Sequence, residues 1–321
     1  MKRLAALLMS IGMMLLSLVT VGGAPARATT PGHNGSIVFA ADLGLGFQLY
    51  LIKPSGRGFR QITNVLGDAV QADWSPDGTQ IAFEHDFELD GVDNGRIVTM
   101  DADGSDMHDV SPEGVIAHQP AFTPDGAQLV YECGTCPGGQ GIFLMAADGS
   151  DFPGLRLSTN VFQGEGDADP NVSPDGLTVT FVRHKVDGEL QALYAVDIDG
   201  SNLRRIVPYA LEVAIKHDWA PDGDHIVIGI WADYPDHLSP DVATIRPDGS
   251  DLQMLTDYTG GEVGAFAGSY SPDGRWIVFR VENLSDGSFR LFKMRPDGSD
   301  RTLIARLPFA PRGNDWGSRA D

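Results

Sequence analysis

The four-residue turn Ser75-Pro76-Asp77-Gly78 returns as Thr123-Pro124-Asp125-Gly126, Ser173-Pro174-Asp175-Gly176, Ala220-Pro221-Asp222-Gly223 and Ser271-Pro272-Asp273-Gly274. Its closing glycines lie 48, 50, 47 and 51 residues apart. Proline presets φ at the second turn position, the aspartate bonds back to its own chain, and glycine accepts positive φ. A second mark follows each of these turns, at Asp103-Gly104, Asp148-Gly149, Asp199-Gly200, Asp248-Gly249 and Asp297-Gly298, with Ser55-Gly56 as an earlier copy. Asp-Gly between apolar runs is a strong hairpin signal. A chain punctuated at this period is an array of like units, not a set of unrelated domains.

Short β-branched and aromatic runs lie between the marks. Ile81-Ala82-Phe83, Leu129-Val130-Tyr131, Val179-Thr180-Phe181, Ile226-Val227-Ile228 and Ile277-Val278-Phe279 follow the first turn, and Ile37-Val38-Phe39 is their counterpart in the first unit. Leu49, Ile97, Ile142, Leu193, Val242 and Leu291 mark a run seven residues before each second glycine. Ile62, Val110, Leu157, Ile206, Leu255 and Ile304 mark another run just beyond it. Trp74, Phe122, Val172, Trp219 and Tyr270 precede the Pro-Asp-Gly turns, so each unit holds four strands. The first unit lacks this leading strand, whereas the C-terminus supplies Asp315-Trp316, a copy of Asp73-Trp74 and Asp218-Trp219. Such a strand exchange closes a ring. The expected fold is therefore all-β, a six-bladed β-propeller of four-stranded antiparallel blades whose C-terminal strand joins the first blade.

The pattern of Trp, Ser-Pro-Asp-Gly, an apolar strand and then Asp-Gly resembles the WD-like, PDG-type repeats of the TolB β-propeller family, over about residues 35 to 321. The family's namesake carries an α/β domain ahead of the propeller, through which it engages its envelope machinery. The resemblance here is to the propeller alone. Other TolB-like propellers, such as prolyl oligopeptidases and oligogalacturonate lyases, are enzymes, so the resemblance implies the fold and leaves the function to the site.

The N-terminus reads as an export leader: Lys2 and Arg3, an uncharged apolar run, then Ala26-Arg27-Ala28. This assigns residues 1–28 to a signal peptide, 29–34 to a short linker and 35–321 to a single propeller domain. The alternative, an uncleaved membrane anchor, is disfavoured by Gly22, Gly23 and Pro25, so no stable anchor is expected after cleavage. Cleavage removes three positive charges and no acid, taking the formal net charge from -21 to -24. With 44 acidic against 23 basic residues, the balance argues against nucleic acid, whose binding draws on basic patches.

In a four-stranded meander both turn types lie on one face. The second-to-third loops and the blade-to-blade connections lie on the other. The turns are uniform, whereas the opposite loops vary, and binding chemistry concentrates on variable loops. That loop face carries Phe47, His85, Asp86, Phe87, Glu88, Asp90, residues 132–141, His184, Lys185, Asp187, Trp231, Asp233, Tyr234, Asp236, His237, Glu282 and Asp286. The blade connections add Asp68, His118, Asp167, Asp169, Lys216, His217, Arg312 and Asn314 near the channel mouth. The candidate binding residues are His118, Asp167, Asp169, Lys216, His217, Arg312, Asn314, His85 and Trp231. The bland alternative is that these charges merely solvate the rim.

Cys133 and Cys136, the only cysteines, are expected to form a local disulfide in an exported chain, with free thiols or a redox pair as alternatives. Asp101-Ala102-Asp103-Gly104 and Asp197-Ile198-Asp199-Gly200 resemble calcium loops, yet they lack the full ligand frame and read better as turns. No zinc-protease, serine-hydrolase, phosphate-loop or dinucleotide motif occurs. No residue is assigned as a catalyst or metal ligand, and a divalent cation at the channel mouth is the one cofactor the histidines admit. The expected function is an exported, non-catalytic propeller binding a protein or cell-envelope component, with a glycan or small ligand as further partner classes. The alternative is an extracytoplasmic hydrolase or lyase with a channel-mouth carboxylate and histidine site, favoured if Asp167, Asp169, His118 and His217 converge.

Overall fold

A computed structural model describes residues 32–320 apart from 45, 90–91, 160–165, 186–189, 232–238 and 259–261. The leader therefore lies outside the described residues, as do Asp90, Asp187, Asp233, Tyr234, Asp236, His237 and the side chain of Glu88. The described residues form six four-stranded antiparallel sheets, with one short 3-10 turn at Tyr209–Leu211 as the helical element. The six innermost strands are Arg312–Ser318, Asp68–Trp74, Ala117–Phe122, Gly166–Val172, Val213–Trp219 and Val263–Tyr270, for blades one to six. Strands of each blade then follow outward in chain order. Blade one alone is mixed, its inner strand coming from the C-terminus and its second from Asn34–Asp42.

The apolar runs are nearly continuous because both faces of each blade are covered. In the second strand of blade one, Ile37, Phe39 and Ala41 pack with Val278, Leu291 and Ile304 of blade six. Val38 and Ala40 pack with Trp74, Ile81 and Phe83 of blade two. Strands buried on two sides need apolar residues at successive positions, so the alternation of a half-exposed strand is lost. The closing strand is held in register by Ile37 opposite Trp316 and Val38 opposite Asp315.

The fourth strands are shorter than the sequence suggests. In five blades they span two residues, as in Arg60–Gln61, His108–Asp109 and Arg204–Arg205, and only Thr302–Leu307 of blade six is longer. Their side chains are polar and exposed in these three blades. A short, charged outer strand blunts the sheet edge against pairing with another chain.

The Pro-Asp-Gly turns consume their own polar groups. Ser75 Oγ and the Thr79 N–H both donate to Asp77 Oδ1, at 2.7 and 3.0 Å, and Gln80 N–H donates to Ser75 Oγ at 2.9 Å. Gly78 adopts φ +70°, and a Cβ there would collide with the Ser318 carbonyl of the closing strand. In the second turns, Ser105 N–H donates to Asp103 Oδ1 at 2.9 Å. These carboxylates cap hairpins, which accounts for the resemblance to calcium loops.

Candidate functional site

Five innermost strands carry a residue with left-handed φ three positions before the marker Trp74, Phe122, Val172, Trp219 or Trp316. These residues are Gln71 (50°), Gln119 (53°), Asp169 (50°), Lys216 (89°) and Gly313 (56°). Pairing with the second strand slips at each, leaving a β-bulge. Four of the five are not glycine, so the ring sustains a conformation that costs about 1–3 kcal/mol per residue. Gln71, Gln119, Asp169 and Lys216 line a cavity of about 10 Å³ at the level of the bulges. The Gln119 side-chain oxygen accepts the Asp169 N–H at 2.5 Å, tying two blades together.

Toward the turn face, Asp73, Asp218 and Asp315 line a second cavity of about 50 Å³. Each accepts a backbone N–H from the following blade: Asp315 from Trp74 at 3.0 Å, Asp73 from Phe122 at 2.8 Å and Asp218 from Tyr270 at 2.7 Å. Burial and the neighbouring Asp315 charge push the Asp218 carboxyl up to about 7, and the same two causes raise Asp73 well above the carboxylate range. Although burial opposes its charge, Lys216 is held above the ordinary lysine range by Asp315, Asp169, Asp73 and Asp218. Lys216 thus acts as the internal counter-ion of the acid ring.

A pH effect follows. Between about pH 4 and 7 the folded chain retains the Asp218 proton that the unfolded chain has lost, so this group favours folding at the acid end. That contribution is lost as pH rises through 7. Asp218→Asn is therefore expected to gain stability relative to the parent as pH rises from 5 to 8 in urea unfolding. A pH-independent difference would contradict the assignment.

The sequence candidates separate into distinct environments. Asp167 is completely buried and binds Arg183 through two contacts, Nε to Oδ1 at 2.6 Å and a second guanidinium nitrogen to Oδ2 at 2.8 Å; Ser158 Oγ donates to the same Oδ2 at 2.6 Å. Asp169 Oδ2 accepts the backbone N–H groups of Lys216 (2.8 Å) and His217 (3.1 Å) and lies 3.1 Å from His217 Nδ1. His217 is fully buried, its Nε2 2.8 Å from Thr180 Oγ1, which also accepts the Trp219 indole N–H at 2.9 Å. Asn314 is buried beside Gly268 with no hydrogen bond to its amide. Asp167, His217 and Asn314 thus sit between strands and blades, not at the channel mouth expected from their position in the chain. The reason is that a strand alternates its side chains, and the sequence does not say which side of a bulge faces the lumen.

His118 is different. Its Nδ1 lies 3.2 Å from Glu84 Oε1 and 3.6 Å from Asp86 Oδ1. Burial opposes its charge, but the hydrogen bond and charge of Glu84 prevail and push the imidazole up to about 9. Glu132, the register partner of His118, accepts a hydrogen bond from Gln140 at 3.0 Å. On blades one and six, Arg312 is exposed over the Phe47 ring at 4.6 Å, and Arg280 lies over Phe266 at 3.9 Å while bonding Glu282 at 2.7 Å. His85 Nε2 donates to the Leu66 carbonyl at 2.8 Å, and Trp231 is half-buried with its N–H on the Glu212 carbonyl. Cys133 and Cys136 are joined in a disulfide and buried.

Glu84, Arg183 and Arg280 were not singled out from the sequence. Aligning Ile81-Ala82-Phe83-Glu84 with Leu129-Val130-Tyr131-Glu132 exposes one signal, a carboxylate at the same strand position in adjacent units. Nothing comparable marks Arg183, whose partner comes from the neighbouring strand.

Six like four-stranded blades in a ring define a β-propeller. The chain belongs to the TolB beta propeller domain family, which matches residues 19–216. Among curated relatives, Atu1656 of Agrobacterium fabrum is 30% identical over 158 residues, covering 48% of this chain and 50% of its own, so the match spans half of that relative. A TolB-like protein of Agrobacterium tumefaciens has a similar structure, with a TM-score of 0.66 at 20% identity over 87% of this chain and 92% of that one. TolB of Acinetobacter baumannii gives a TM-score of 0.68 at 18% identity, over 89% of this chain and 67% of that one. At such identities the structural likeness establishes the fold. No helix among the described residues is long and apolar enough to cross a membrane.

Proposed function

We propose that the protein is an exported, non-catalytic propeller that binds a protein or cell-envelope component across its loop face. The observation carrying this reading is the gathering of charged and aromatic groups on that face, with Glu84, Asp86 and Glu132 around His118, Arg312 over the Phe47 ring, and Arg280 paired with Glu282 over Phe266. The partner is taken to sit on the mouth of the channel, above the cavity of about 10 Å³ at the bulges. Complementary charge on a partner gives specificity and a fast encounter. The leader-like N-terminus supports export, and likeness to TolB proteins supports the envelope as location. Convergence of Asp167, Asp169, His118 and His217 would have favoured the hydrolase or lyase alternative, and these residues are engaged in three separate networks.

The test is affinity capture from the native envelope with three immobilised forms: the parent, a loop-face variant carrying Phe47→Ala and Arg312→Glu, and a turn-face variant carrying Arg275→Glu. The parent and the turn-face variant are expected to retain the same partner, with recovery on the loop-face variant falling at least about tenfold. Equal recovery on all three would overturn the reading.

A further inference from the structure

We propose that Glu84, Asp86 and His118 form a binding site for one divalent first-row transition cation, with Zn²⁺ the best fit, at the loop-face mouth between blades two and three. One ligand atom from each of the three residues lies within 4.8 Å of the others. The two separations from His118 Nδ1 are 3.2 and 3.6 Å. Zinc bonds of about 2.0–2.2 Å in tetrahedral geometry place neighbouring ligand atoms about 3.3–3.6 Å apart. The two separations from His118 match the spacing of ligands around a shared ion, which would take the place of the proton now held between His118 and Glu84. One imidazole nitrogen with two carboxylates suits zinc, whereas calcium takes six to eight oxygens.

Three further features build the site. Glu84 is fixed from behind, its Oε2 accepting the Gln119 N–H at 2.9 Å, the outer support that orients metal-binding carboxylates. Gly95 stands opposite Asp86 in the third strand of blade two. A Cβ at Gly95 would come within 2.8 Å of His118 Nδ1 and 3.0 Å of Asp86 Oδ1, besides colliding with His118 Cε1. Glycine weakens a strand interior, and its presence there marks a place where other groups approach the backbone closely. The side chains of His118 and Asp86 remain 26% and 32% exposed, which leaves an entry path and room for a water as fourth ligand.

The site does not depend on partner binding, since the envelope capture can succeed or fail without zinc and zinc titration needs no partner. The purified full chain, stripped with chelator, is titrated with Zn²⁺ alone by calorimetry, and with Co²⁺ as a visible-spectrum probe. One ion per chain with micromolar or tighter affinity is expected, together with the intense visible bands of tetrahedral Co²⁺. His118→Ala is expected to weaken binding at least about 100-fold. Gly95→Ala, which removes no ligand, is expected to weaken it at least about tenfold, within the range for changes around a metal's ligands. His108→Ala, at an exposed histidine paired with Asp106, should leave binding unchanged. Absence of saturable binding, or binding indifferent to His118→Ala in a folded variant, overturns the proposal. If His118→Ala does not fold, weak octahedral-type Co²⁺ bands in the parent overturn it equally.

Discussion

Deleting residues 308–321 is expected to abolish cooperative folding, leaving a chain that binds hydrophobic dyes and aggregates. The deletion removes the innermost strand of blade one, including Trp316, which is 3% exposed and packs with Phe39, Val278 and Leu291. It also unpairs one edge of Asn34–Asp42, exposing a long apolar strand of the kind that templates aggregation. Each blade packs its two faces against its neighbours, so opening the ring strips one side from each of two blades at once. The single change Trp316→Ala gives a graded version, with an expected loss of about 3–5 kcal/mol for truncating a buried aromatic residue. Against a usual domain stability of about 5–15 kcal/mol that is a large fraction. Urea unfolding followed by circular dichroism checks both. A truncated chain unfolding with parental midpoint and slope would show that the terminal strand does not hold the ring.

The second large effect concerns Asp167 and Arg183. Asp167→Asn should destabilise the protein by about 3–5 kcal/mol, because it removes the buried carboxylate charge that pairs with the Arg183 guanidinium at 2.6 Å. Arg183 has 2% of its side chain exposed, donates also to the Thr159 carbonyl and lies over the Tyr194 ring at 4.8 Å. Arg183→Met alone should cost a similar amount by stranding Asp167. The double substitution Asp167→Leu with Arg183→Met should recover most of the loss, since buried pairs are often replaceable by apolar groups of similar volume. A double-mutant cycle with near-zero coupling would contradict the assignment. Retention of partner capture by the double variant would confirm that Asp167 holds blade four together and does not meet the ligand.

Much of the fold was legible because the repeat writes the same local instruction many times. Ser75, Pro76, Asp77 and Gly78 form a turn whose bonds lie within six residues, and such a turn needs no distant partner to be recognised. Trp316 was legible as the missing strand because it copies Trp74. The site was less legible. Asp167 and Asp169 are two residues apart and similar in sequence, yet one is buried against Arg183 and the other bonds His217 across a blade boundary. Their roles diverge because a bulge at Asp169 breaks the alternation that a sequence reader would extrapolate.

The amino-acid order alone determined the number of blades, their strand order, the closing strand and the acid-rich character of the turns, because each rests on short-range turn chemistry or on a repeated apolar spacing. Only the tertiary structure decided which acids are consumed in folding and which meet solvent. Asp169 and His217 are 48 residues apart, and Glu84 contacts the Gln119 backbone 35 residues away. Those pairings depend on how neighbouring blades pack and where each inner strand bulges. Charge in the sequence becomes a site only where that packing leaves it without an internal partner strong enough to satisfy it.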